Sequence, residues 1–92
     1  MFDDPIHKNS NYLKLLSNYV RLKIVIELSE RDLFFSELKN MLKLKQSTLS
    51  NHISKLKDYG IINSFNKNGF TQLKLNHMIL KKYLSPDIIK KK

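Results

Sequence analysis

At Gly60 the apolar residues change period, and this limits the chain to few folds. Before it, Leu49, Ile53 and Leu56 recur at i, i+4 and i+7, one face of a helix. After it, "IINSF" and "FTQLKL" flank "NKNG" (Asn66 to Gly69). Asn-Gly between two β-prone runs predicts a hairpin, because both turn residues must accept positive φ. On the second strand Thr71, Leu73 and Leu75 share one face and Phe70, Gln72 and Lys74 the other. Gly60 itself suits the end of the helix that precedes it.

Working backwards, "KLK" (Lys43 to Lys45) is a turn, with a helix from about Gln46 to Tyr59 behind it. In front of it Ser36 is a fitting N-cap for "ELKNML", with Glu37 near the positive helix end. Two short helices joined by a tight turn form a helix-turn-helix. "RDLFF" (Arg31 to Phe35) is too short for a helix and is read as a brief strand or extended link. Asn18 is a second N-cap, followed by Val20, Leu22, Ile24, Val25, Ile26 and Leu28, which predict a mostly buried helix ending near Glu30. A first helix starts at Asp4-Pro5 or at Ser10, and Asn76 caps a last one, "HMILKKYL". "SPD" at Ser85 to Asp87 reads as a fresh helix start. The expected fold is mainly α with a small β-hairpin, a winged helix-turn-helix in the order α-α-β-α-α-β-β-α. It forms one domain over residues 1–92: an N-terminal helix or arm (1–17), a winged-helix core (18–75), and a C-terminal helix with a basic tail (76–92).

Length and composition set the function classes. The 92 residues suffice for one small domain with a thin core. There is no cysteine, which removes disulfides, thiolate metal sites and a cysteine nucleophile. No apolar run approaches the roughly 20 residues of a membrane span, and "MFDDPIHKN" does not resemble a signal peptide. A soluble cytoplasmic protein is expected. The formal net charge of +9 favours polyanions, although a chain with no alanine and much Lys, Asn and Ile also has the bias of AT-rich codon usage. No Gly-rich phosphate loop, metal-ligand cluster or nucleophile with an oriented base is present, so an enzyme is not expected. His52 lies beside the apolar stripe with no second ligand three or four positions away, so a packed or phosphate-touching histidine is expected there.

Residues Arg21 to Leu75 resemble winged-helix DNA-binding regulators of the arsenic-repressor-like (ArsR) type. The resemblance rests on "LSNYVRLKIVIEL", "FSELKNMLKLKQSTLSNHISKLKDYGII" and the hairpin "NSFNKNGFTQLKL". In that family a polar N-cap triplet precedes an Arg-Leu pair, as Asn18 to Leu22 does here. The recognition helix commonly begins Gln-Ser-Thr, continues Ser-x-His and ends in Gly plus two aliphatics. Gln46-Ser47-Thr48, Ser50-Asn51-His52 and Gly60-Ile61-Ile62 follow that order. Metal-sensing members carry a cysteine-bearing box in the first helix of the motif, where "FFSELKNML" has none. Others bind metal along the last helix, where this chain offers His77 with Asp87 beyond it. Neither a metal nor a cofactor is expected.

The helix from Gln46 places Ser47, Ser50, Asn51 and Ser54 opposite its apolar stripe. Gln46, Ser47, Ser50 and Asn51 are the candidate base contacts, since Gln and Asn can pair with an adenine edge and small hydroxyls permit close approach. Lys45, Ser54, Lys55, Lys57, Lys67 and Asn68 are the candidate phosphate contacts, the last two on the wing. Tyr12, Leu15, Leu16, Met78, Ile79, Tyr83 and Leu84 form a candidate dimer seam. Helix-turn-helix readers pair to match half-sites about 34 Å apart. The expectation is a sequence-specific double-stranded DNA-binding regulator acting as a homodimeric repressor. The alternative is a winged-helix protein–protein adaptor or a non-specific DNA architectural protein.

Overall fold

The computed structural model describes residues 11–83, with side chains as far as Lys81. The expected helix starts at Asp4-Pro5, Ser10 and Ser85 to Asp87 lie outside the described residues, as do Leu84 and the side chain of Tyr83. Residues 11–15 are helical and belong to α1. They are followed by α2 (Tyr19–Glu30), β1 (Leu33–Phe34), α3 (Phe35–Leu42), α4 (Gln46–Asp58), β2 (Ile62–Lys67), β3 (Phe70–Leu75) and α5 (His77–Tyr83). The strands form one antiparallel sheet in the order β1-β3-β2. The fold is a winged helix-turn-helix, mostly helical, with a small three-stranded sheet.

Local chemistry explains most boundaries. The Asn18 carboxamide accepts the amides of Val20 and Arg21 at 2.9 and 3.2 Å, which supplies partners for two of the first free donors of α2. Asn76 does the same for Ile79 in α5 at 3.3 Å. At the end of α4, Gly60 takes φ +75°, its amide donates to Lys57 and that of Ile61 to Leu56. These two bonds are a Schellman closure, and they turn the chain directly into β2. Asn68 (φ 53°) and Gly69 (φ 87°) form the two-residue hairpin turn, with Lys67 paired to Phe70 across it.

Two sequence expectations are corrected. Ser36 is not the N-cap of α3. Pairing of Leu33 and Phe34 with Leu73 and Gln72 keeps Phe34 extended, and the helix starts at once with Phe35. The Phe34 amide is then held by the Glu37 carboxylate, 2.9 Å away, so the reach-back half of a capping box replaces the hydroxyl cap. The second correction concerns α2. Ile24, Val25 and Leu28 are buried, but Leu22 and Ile26 are exposed, because the helix packs against β3 and α4 on one side only.

The core lies between the helices and one sheet face. Ile24, Leu28, Leu33, Leu38, Leu49, Leu56, Ile61 and Leu73 are almost fully excluded from solvent. Burying a side chain of this size contributes about 1.5–3 kcal/mol. Leu49, Ile53 and Leu56 therefore fix which face α4 turns inward, and so which residues it presents outward.

Candidate nucleic-acid interface

The outward side of α4 carries Gln46, Ser47, Ser50, Asn51, Ser54, Lys55 and Lys57, all exposed. Lys45, its N-cap, is exposed as well and makes no side-chain cap, so the first amides of the helix have no capping side chain. Every candidate base and phosphate contact predicted on α4 thus lies on solvent-facing surface. Lys67 and Asn68 are exposed at the hairpin tip, on a different element from α4.

His52 faces inward of this row and is half-buried. The Arg21 guanidinium donates through Nε to His52 Nδ1 at 3.3 Å and through Nη1 to the Leu15 carbonyl at 3.3 Å. Nδ1 is therefore an acceptor, and the ring proton belongs on Nε2. Burial first, and the Arg21 charge second, push the imidazole pKa below its ordinary value of 6.5. One arginine so ties α1, α2 and α4 together. His52 is packed, with Nδ1 taken up by Arg21. Sequence reading gave Arg21 only a place in the Arg-Leu pair after Asn18. Its partners stand 31 residues downstream and 6 upstream, and no local pattern announces them.

Of the seven residues expected in a seam, the five whose side chains are described do not share one free surface. Leu15 and Leu16 are buried at 7% and 6% exposure in the chain's own core, and Ile79 is half-buried against it. Tyr12 is half-buried; its hydroxyl donates to the Tyr59 carbonyl at 2.9 Å, with the two rings edge to face at 5.4 Å. Met78, at 80% exposure, is left bare. Tyr12, Leu15 and Leu16 pack within the chain because α1 folds back onto the end of α4. Among the described residues no three His, Asp or Glu side chains gather as metal ligands, and no helix is long and apolar enough to cross a membrane.

A sequence profile described as "Bacterial regulatory protein, arsR family" matches residues 18–64. The chain belongs to the ArsR family. The match spans α2, the helix-turn-helix and the start of the hairpin. A comparison with curated protein sequences finds no match. Among solved structures, HlyU from Vibrio cholerae N16961 superposes with a TM-score of 0.77 at 29% identity, over 85% of this chain and 90% of that one. The transcriptional regulator HlyU from Vibrio vulnificus CMCP6 gives 0.71 at 28%, over 86% and 77%. The transcriptional repressor BigR from Xylella fastidiosa gives 0.69 at 26%, over 90% and 87%. As an ArsR-family protein the chain is a DNA-binding transcription regulator and not an enzyme.

Proposed function

We propose that this ArsR-family protein is a sequence-specific, homodimeric repressor that lays α4 in the major groove of duplex DNA. The observation that carries the reading is the division of α4. Leu49, Ile53 and Leu56 are buried, while Gln46, Ser47, Ser50 and Asn51 stand exposed on its other side. Those four side chains contact base edges. Lys45, Ser54, Lys55 and Lys57 border them and contact phosphates, with Lys67 and Asn68 on the wing reaching the backbone or minor groove. Residues 18–75 are the DNA-binding core, and the flanking segments complete a dimer that sets half-site spacing. Repression follows from occupying a promoter.

Selection of bound sequences from a random duplex pool tests this reading. A shared motif with two related half-sites is expected, bound preferentially over competitor DNA at physiological salt. The logarithm of the affinity should fall against that of salt by about 0.9 per phosphate neutralised. An unenriched pool with a salt-dependent affinity rejects sequence-specific binding and leaves the architectural role, and an affinity indifferent to salt leaves the adaptor role.

A further inference from the structure

Among the described residues, packing does not account for the face of the sheet turned away from the helices. Register places Phe34, Gln72 and Phe65 in one row across β1, β3 and β2, with the Lys67–Phe70 pair in the next row. Residues on the opposite face, Leu33, Ile62, Leu73 and Leu75, are buried. On this one Phe65 is 49% exposed and Phe70 63% exposed. Phe34 meets Phe70 edge to face at 6.2 Å, and the Lys74 ammonium lies 5.7 Å from the centre of the Phe65 ring. Such contacts stabilise a sheet, but they do not require rings left half in water.

We infer that this face is a second nucleic-acid site, a stacking platform for unpaired bases of a single strand. Strands are about 4.8 Å apart, so Phe34 and Phe65 are anchored about 10 Å from each other, with the half-buried Gln72 amide between them. Exposed phenyl faces stack on any base, and an amide among them can meet a base edge. Lys67 and Lys74 supply the positive charge that a phosphate backbone requires. Two acids touch the platform: Asp32 reaches Lys74 at 3.6 Å, an exposed pair that salt and a competing phosphate readily replace, and Glu37 accepts the Phe34 amide at 2.9 Å with Arg31 beside it at 3.7 Å. Aromatic rings interleaved with lysine fit a polyanion that carries flat apolar groups. An acidic protein helix would use the charge but not the ring faces. This site is separate from the exposed side of α4 and shares only Lys67 with the proposed duplex contacts, so the variants that test it leave Lys67 in place.

The test measures binding of a labelled oligothymidylate and an oligouridylate, each of about 12 nucleotides, within the site sizes of single-strand binders. A blunt duplex is measured in parallel. Phe65→Ala and Phe70→Ala keep the charge and remove the rings. Each should weaken single-strand binding about tenfold, about 1.4 kcal/mol, and leave duplex binding unchanged. The DNA and RNA arms report which strand is preferred. The chain has no tryptophan, so Phe65→Trp provides a fluorophore that the single strand should quench. If Phe65→Ala proves unstable by circular dichroism, Phe65→Leu retains the apolar bulk and should show the same loss. Equal single-strand binding by wild type and all ring-deleted variants overturns the proposal, because charge alone then accounts for it. Equal loss of single-strand and duplex binding overturns it as well. So does sedimentation in which the variants abolish self-association while single-strand binding persists, since the face is then a contact between copies.

Discussion

Arg21 Nε donates to His52 Nδ1 across 3.3 Å, and the same guanidinium reaches the Leu15 carbonyl. The bond needs the neutral imidazole, since a protonated ring has no acceptor to offer. His52 thus sits on the inner edge of α4 as part of a brace, one position away from Asn51, which faces solvent. Protonation of His52 would remove this one link between α2 and α4.

Stability should therefore fall in mild acid. The unfolded chain binds the His52 proton with its ordinary pKa of 6.5, whereas the folded chain binds it only at lower pH. Between the two values the unfolded state carries more protons, so stability rises with pH. The contribution is complete above 6.5 and is lost as pH falls through the folded value. Urea unfolding across about pH 5 to 8 should give a flatter profile for His52→Gln than for wild type. In Arg21→Met the His52 resonance should titrate closer to 6.5, and stability should drop by about 1–2 kcal/mol for the two lost bonds. An unchanged His52 titration in that variant rules out the brace.

Much of this fold was legible because the chain marks it locally. The Asn18 cap, the i, i+4, i+7 stripe of α4, Gly60 and Asn68-Gly69 each act within a few residues, so sequence alone located them. The errors arose where distant packing decides. Leu15 and Leu16 had the same look as a seam residue, and their burial depends on α1 meeting the rest of the core. Leu22 and Ile26 looked buried by composition, yet nothing among the described residues covers them. The exposed face of α4 was readable from its period, while the Arg21–His52 link spans 31 residues and left no trace.

The base contacts are expected to separate from the phosphate contacts by their sequence dependence. Gln46→Ala or Asn51→Ala should cost roughly 1–3 kcal/mol on the selected duplex and far less on random DNA. Lys67→Ala should weaken both duplexes alike and reduce the salt slope by about 0.9. Anisotropy titrations on the two duplexes decide it. Equal losses on both for Asn51→Ala would remove that residue from base reading.

Two positions share a left-handed backbone and should respond oppositely to substitution. Lys43 closes α3 at φ 55°, its amide donating to Asn40 and that of Leu44 to Lys39, the same closure that Gly60 makes after α4. A lysine there carries a steric cost of about 1–2 kcal/mol that glycine avoids. Glycine returns about 0.4–1 kcal/mol of that through the entropy of the unfolded chain. Lys43→Gly should therefore raise stability by about 0.5–1 kcal/mol. Gly60→Ala should lower it by about 1–2 kcal/mol, although the added methyl would meet Ile79 only at an ordinary 3.7 Å. Denaturant midpoints moving in the same direction for both variants would contradict the backbone argument.

Assembly is best probed at Met78. Ile79 packs on the core and against Gly60, so a charge there would damage the fold itself and say little about a partner. Met78 follows His77 at the start of α5 and is 80% exposed, and among the described residues it is not one of those packed on the core. If α5 lies in the proposed seam, an apolar side chain of this exposure is what a second copy would cover. Met78→Asp should then leave the thermal melt of the monomer fold within about 0.5 kcal/mol of wild type, as surface substitutions do. It should shift the sedimenting species from dimer to monomer at micromolar concentration. Binding to a duplex with two half-sites should weaken more than binding to a single half-site, because only the former draws on pairing. A Met78→Asp protein that sediments as wild type and holds both duplexes equally well would place the seam elsewhere than on α5. A wild-type monomer bound tightly to one half-site would remove the dimer altogether.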